Sequence, residues 1–395
     1  MPMPTIRIGC WTIGRRQDCE KRLFLLVFRL ICTTFDLRSK VLSLGNEKKN
    51  GFFFCISLAY SYLCTMFRNK GYRLPAEWEP QSGVQLTWPH AGTDWAPMLD
   101  EIVATYQEMA REIAKREPLL IVAPEGTPLP NLKSQNSARP KDACYQRDVR
   151  NLKSNDTWAR DHGFICLTKV FSEDEKNVDG LTAPLPRREG QGESLLLDFC
   201  FNGWGEKFPA ELDNAINRQL YDEGCFQGDY VNHLDFVLEG GSIESDGKGT
   251  IFTTTCCLLA PHRNQPLTKD QIEQRMKDYL CADRVLWIDH GQLIGDDTDG
   301  HIDTLVRICP DDTLLYIGCD DPHDERLRVG DEKSEMQYEE LRLMEQQLRT
   351  FRTIDGRPYR LLRLPMPRPI LDPPSSPEGD TIDPAHKTIE APRGP

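Results

Sequence analysis

Gly295-Asp296-Asp297-Thr298-Asp299-Gly300-His301-Ile302-Asp303 runs directly into Thr304-Leu305-Val306-Arg307-Ile308. The first nine residues read as a polar loop and the next five as an apolar strand. That pairing, polar loop then strand, is the unit by which the rest of the chain can be parsed. Side chains two apart on a strand point to one face, so the reading sets His301 and Asp303 together at the mouth of the strand. A histidine and a carboxylate converging there, with more carboxylates just upstream, can hold a cation and move a proton. The EF-hand pattern fails, because its first and twelfth positions would be Gly295 and Val306. A metal hydrolase would need partner histidines, and His90, His162, His233, His262, His290, His323 and His386 are scattered.

Working outward, the same alternation recurs. Val84 to Trp88 alternates like a strand, and Met98 to Glu117 reads as a helix with Ile102, Tyr106, Met109 and Ile113 on one face. Strands are expected over 118–122 and 195–199, the latter ending at Phe201-Asn202-Gly203-Trp204-Gly205. Phe236-Val237-Leu238 leads into Glu239-Gly240-Gly241, and a tight turn at 246–249 returns through Thr250 to Thr254. Thr268 with Gln271 three residues on predicts a capping box. The helix it opens runs to about Leu280, and a strand follows over 284–288. Strands over 304–309 and 313–318, a helix over 335–352 and a strand over 359–364 complete the series. Strand, polar loop, strand, helix, strand thus recurs about four times, as a pattern without sequence identity. The charged stretches 132–150 and 171–193 read as surface insertions. The segment 365–395, with nine prolines, reads as a disordered tail.

The 395 residues carry a net charge of −13 with no basic stripe, which argues against a nucleic-acid partner and suits a cationic ligand. The first 65 residues are net +6, leaving −19 for the rest, so they read as a separate segment. Residues 51–67 are apolar but shorter than the roughly 20 residues of a usual membrane span. The first 65 residues stand as a gene-model extension with the true start at Met66, an anchor or targeting segment, or a folded arm. No membrane partner is expected unless 51–67 is an anchor. Fourteen cysteines without a C-x-x-C pair indicate reduced thiols and no zinc knuckle, and a cytoplasmic setting.

A second polar cluster, Asn155-Asp156-Thr157-Trp158-Ala159-Arg160-Asp161, supplies a partner for the first. Taken singly, each piece reads as a turn, a surface ion pair or a core tryptophan. Together with a Gly-Gly doublet that lets backbone approach closely, they describe an acidic, aromatic pocket with one histidine. Such a pocket matches a guanidinium, whose planar donors two carboxylates can grip and an aromatic face can attract by about 1 kcal/mol.

With these residues in view, the chain resembles the agmatine deiminases and the related bacterial-type peptidyl-arginine deiminases. The likeness starts at Leu74-Pro75-Ala76-Glu77-Trp78-Glu79-Pro80 and Thr87-Trp88-Pro89-His90. It continues through 155–161, 201–205, Leu238 to Gly241, Cys257-Leu258-Leu259 with Arg263-Asn264, and 296–303. It implies an α/β pentein fold, a fan of five ββαβ modules around a polar pocket, of which about four are expected here. The expected organisation is an extension over 1–65, an incomplete pentein domain over 66–366 and a tail over 367–395. The implied reaction hydrolyses a guanidine to a urea and ammonia without metal or organic cofactor. Agmatine would give N-carbamoylputrescine, in putrescine biosynthesis; peptidyl-arginine is the alternative substrate.

By position, the resemblance implies that Asp161 and Asp303 clamp the guanidinium nitrogens. His301 would carry protons, and Trp158 and Asp297 would line the channel, Asp297 near the distal amine. The family's nucleophile is a cysteine in a G-G-G-N-x-H-C segment near the C-terminus. No such segment occurs in these 395 residues, the last cysteine being Cys319. Cys256 and Cys257 stand outside that context, and Cys309 and Cys319 read as core thiols. The fifth module is therefore expected to be missing. Without a thiolate two easier steps collapse into one hard one. The chain is then either a deiminase cut short in its gene model, or a guanidine-binding or interaction protein without turnover. A missing module would expose sheet flanks and favour homo-oligomers.

Overall fold

The computed structural model describes residues 71–129, 146–149, 152–169, 194–319 and 331–366. The expectations for 1–65, for the 171–193 insertion and for the segment from 367 onward lie outside the described residues.

Four small sheets are present among them, and three repeat one connectivity. In the first of these, β5 (Ile165–Lys169) runs antiparallel to β6 (Ser194–Cys200), the helix Glu211–Asp222 crosses over, and β7 (Asp229–Val237) returns parallel to β6. In the second, β8 (Glu244–Ser245) lies antiparallel to β9 (Thr250–Thr254), the helix Lys269–Tyr279 follows, and β10 (Arg284–Ile288) pairs parallel with β9. In the third, β11 (Val306–Cys309) and β12 (Thr313–Gly318) are antiparallel, the helix Asp331–Thr350 follows, and β13 (Arg360–Pro365) is parallel to β12. A short hairpin turn suffices for each antiparallel pair, whereas the parallel return needs the helical crossover. The remaining sheet is parallel: β2 (Val84–Thr87), the helix Leu99–Ala114, β3 (Leu119–Val122) and β4 (Gln146–Val149). The short β1 (Tyr72–Arg73) joins the edge of β5.

The crossover helices bury apolar stripes against the sheets; that of the helix 211–222, Ile216 and Leu220, packs with Val122 of β3. On the helix 99–114 the stripe is Val103, Tyr106, Ala110 and Ile113, packed with Trp88 and Ile121. Met109, expected on it, is instead 40% exposed. The largest cluster among the described residues joins the second and third sheets, with Phe252, Ile288, Leu305, Leu314, Met344 and Leu348 all buried. Thr268 and Gln271 form the reciprocal capping box.

Four readings need correction. Residues 302–304 form a single 3₁₀ turn, and the strand begins only at Val306. His301 and Asp303 therefore do not share a face by strand alternation. The stretch 132–150 is not all insertion, since 146–149 is a strand in the parallel sheet, beside β3. The helix Glu211–Asp222, whose buried face includes Asp213 and Asn217, was not foreseen, because polar buried positions blur its apolar period. Cys309 and Cys319 are only partly buried.

No helix among the described residues is long and apolar enough to cross a membrane.

Candidate functional site

The three polar segments enter at equivalent places in the repeat. Residues 155–161 precede β5, Glu239 to Ser242 precede β8, and 296–303 precede β11. Equivalent positions in successive modules bring them to one point.

That point is Gly241. A methyl group built on it would lie 2.5 Å from His301 Nδ1, 2.8 Å from Asp161 Oδ1 and 2.9 Å from Asp303 Oδ2. Residues from three different segments thus face one small volume that only a glycine leaves open. The Gly241 N–H donates to Asp161 Oδ1 at 3.1 Å, and the Trp204 indole N–H donates to Asp161 Oδ2 at 3.2 Å. His301 Nδ1 stands 3.7 Å from Asp161 Oδ1.

Each side chain is placed by local chemistry. Asp161 sits on a single helical turn, Ala159–His162, with His162 anchored behind it on Thr87 at 3.0 Å. Trp204 lies in a turn where Gly203, Trp204 and Gly205 have φ of 64°, 55° and 91°. A tryptophan in that region is strained by about 1–3 kcal/mol. The turn is braced by Asn202, which accepts from the Gly205 N–H and donates to the His262 carbonyl. The loop before β11 is organised by Asp296, whose carboxylate accepts from the Thr298 N–H and hydroxyl and from the Gly300 N–H. Asp299 and Gly300 take positive φ, 64° and 88°, and turn the chain so that His301 points inward. Asp296 is therefore committed to the loop. Lys207 ties it further, donating to Asp299 Oδ1 and the Asp297 carbonyl, each at 2.7 Å.

The electrostatics follow from burial. Asp161 is pushed up to about 7, first by burial and then by Glu239 and Asp303 nearby. Burial also raises Asp303, against the pull of Arg160 and Arg307 at 4.0 and 3.9 Å. Glu244, buried beneath Arg307 at 3.1 Å, is pushed up to about 7 by burial. His301 is held well below its ordinary value by burial, then by Arg263, Arg160 and Lys207. The resting site thus holds a neutral imidazole among carboxyls that ionise more readily once a cation enters.

Of the five residues singled out, Asp161, His301 and Asp303 are brought together. Trp158 lies at the rim, 41% exposed, edge-on to Trp204 at 5.8 Å and bonded to Asp156. Asp297 is exposed on the same loop as His301. Residues given no role by the sequence stand out here. Glu239 is fully buried and receives Arg263 Nη1 at 2.7 Å. Arg263 also touches Cys257 Sγ at 3.3 Å and donates to the Thr298 carbonyl at 2.8 Å, so it ties two of the three segments together. A buried acid and a distant buried arginine carry no periodic signal. The clue was the Glu before the Gly doublet, a carboxylate where backbone passes closely.

Comparison with known proteins finds relatives of this chain. Residues 73–386 match the family model of Porphyromonas-type peptidyl-arginine deiminase. An agmatine deiminase of Pseudomonas aeruginosa (strain UCBPP-PA14) is 30% identical over 314 residues, 77% of this chain and 73% of the relative. The solved agmatine deiminase of C. jejuni with substrate bound superimposes with a TM-score of 0.59 at 32% identity, covering 76% of this chain and 75% of that one. The agmatine deiminase of Enterococcus faecalis gives 0.58 at 26% identity, covering 75% and 72%. Fold and comparisons define the class as pentein-fold hydrolases acting on guanidine C–N bonds. The chain belongs to the Porphyromonas-type peptidyl-arginine deiminase family.

Proposed function

We propose that this chain is an agmatine deiminase-type hydrolase whose pocket takes agmatine and whose product is N-carbamoylputrescine with ammonia, feeding putrescine formation in the cytoplasm. The observation that carries the reading is the convergence of Asp161, His301 and Asp303 on the Gly241 methyl position. Two carboxylates and a neutral imidazole around one small volume match a planar cation that must lose an amine. Asp161 and Asp303 grip the guanidinium nitrogens by charge-assisted hydrogen bonds. His301 takes a proton from the attacking water and gives one to the leaving ammonia. Trp158 and Asp297 line the approach, the aromatic face beside the alkyl chain and the carboxylate toward the distal amine.

The 395 residues contain no G-G-G-N-x-H-C run. The described thiol grouped with His301 and Glu239 is Cys257, and burial raises it well above the ordinary thiol value, so it is no resting thiolate. The proposal is therefore tight agmatine binding with impaired turnover by these residues alone.

The test measures agmatine binding by calorimetry and ammonia release, with a peptide containing arginine in parallel. Agmatine binding stronger than peptide binding supports the reading. Ureido formation on the peptide exceeding that on agmatine overturns the substrate assignment in favour of a protein-arginine deiminase, the substrate that the matched family's description carries. Agmatine binding with no ammonia at all favours the guanidine-binding reading.

A further inference from the structure

We propose that Glu239, Cys257 and His301 form a binding site for a borderline-soft divalent cation, Zn²⁺ foremost, and that its occupation competes with the guanidine. One ligand atom from each lies within 4.8 Å of the others, and all three residues are buried. Two further observations point to a ligand. Glu239 Oε1 and His301 Nε2 are buried without a hydrogen-bond partner, on residues that are 0% and 2% exposed. Unpaired buried polar atoms are uncommon and call for a partner. Of their other atoms, Glu239 Oε2 receives Arg263 at 2.7 Å, and His301 Nδ1 lies 3.7 Å from Asp161 Oδ1.

A thiolate, an imidazole and a carboxylate are the donor set of Zn²⁺ and its analogues, with a fourth position left open. Calcium and magnesium, which take all-oxygen shells, do not match it. Coordination forms a Zn–S bond and releases the Cys257 thiol proton to the buffer. Arg263 stands close to the same sulfur, at 3.3 Å, and the Asp161 carboxyl, 3.7 Å from His301 Nδ1, can ionise to offset the added cation. The competition part rests on the proposed function, because metal on His301 withdraws the imidazole from the guanidine and places a second cation beside Asp161.

Co²⁺ serves as the optical probe on the purified full chain. Wild type is expected to show a thiolate-to-cobalt charge-transfer band that Zn²⁺ abolishes by displacement. Cys257→Ser loses the band and Cys319→Ser keeps it, circular dichroism confirming that both are folded. His301→Gln weakens cobalt binding, leaves the buried Arg263–Glu239 pair intact and covers the case in which Cys257→Ser does not fold. Zn²⁺ raises the apparent Kd for agmatine roughly tenfold when it stands at roughly ten times its own Kd. Absence of the band in wild type, or its persistence in folded Cys257→Ser, overturns the site. An agmatine Kd indifferent to Zn²⁺ overturns the competition. Failure of agmatine to bind with the band intact overturns the functional reading and leaves the metal site supported.

Discussion

Gly241 is the residue on which the site geometry depends. Gly241→Ala puts a methyl where three site atoms converge, so the side chains must retreat. A displacement of about 1 Å at a reacting centre can lower activity roughly 100-fold. The expected result is a loss of agmatine affinity or turnover of that order with the fold retained, read by calorimetry beside circular dichroism. Asp161 makes a second, pH-dependent prediction. Its carboxyl, at about 7 in the folded protein against the ordinary 3.8, is neutral below that pH in the free site, and a guanidinium prefers it ionised. Agmatine affinity should rise as pH climbs toward about 7, with proton release on binding below it. For stability the sign is opposite. A raised carboxyl favours the folded state fully below 3.8, and the contribution is lost as pH rises through about 7. Thermal unfolding of the ligand-free protein should therefore move to lower temperature over that window, and Asp161→Asn should flatten the slope. Asp161, His301 and Asp303 were legible as chemical types in the sequence, and their two segments were expected to share one pocket. The meeting point at Gly241 was not legible, because it depends on which modules stand side by side.

At the scale of elements, local signals were read well where one rule dominates. The capping box at Thr268 and Gln271 is such a case. Both of its hydrogen bonds are present, and Thr268→Ala should lower stability by about 1 kcal/mol, measured by chemical denaturation. The 3₁₀ turn at Ile302–Thr304 is the contrary case. Apolar alternation from Thr304 onward extends the strand too early, and the turn is set instead by contacts distant in sequence or irregular in type. Thr254, on another strand, donates to the Gly300 carbonyl, and Thr304 donates back to His301. The helix Glu211–Asp222 was hidden for a related reason. Its Asp213 and Asn217 are buried to serve other elements, Asp213 accepting from the Asn155 N–H and Asn217 donating to Asp198.

Across the whole molecule, the recurring strand–strand–helix–strand order was visible in the sequence, and it is the feature that aligns the three polar segments. The ties between modules were not visible. Arg263 and Glu239 are both fully buried in their side chains and bridge the segments before β8 and β11. Removing one partner of a buried ion pair costs about 3–5 kcal/mol, because the other charge is left uncompensated. Arg263→Met should therefore destabilise the protein by about that amount in denaturant unfolding, more than any single substitution on the exposed helix faces. The account as a whole requires that carboxylates from separate modules act on one cation. Calorimetric titration of the purified chain with agmatine at pH 8, beside Asp161→Asn and Asp303→Asn, tests this most directly. Clear binding by the wild type and a loss of at least about tenfold in each variant, with both variants folded, is the predicted result. Agmatine affinity unchanged by either substitution, or absent from the wild type, would contradict it.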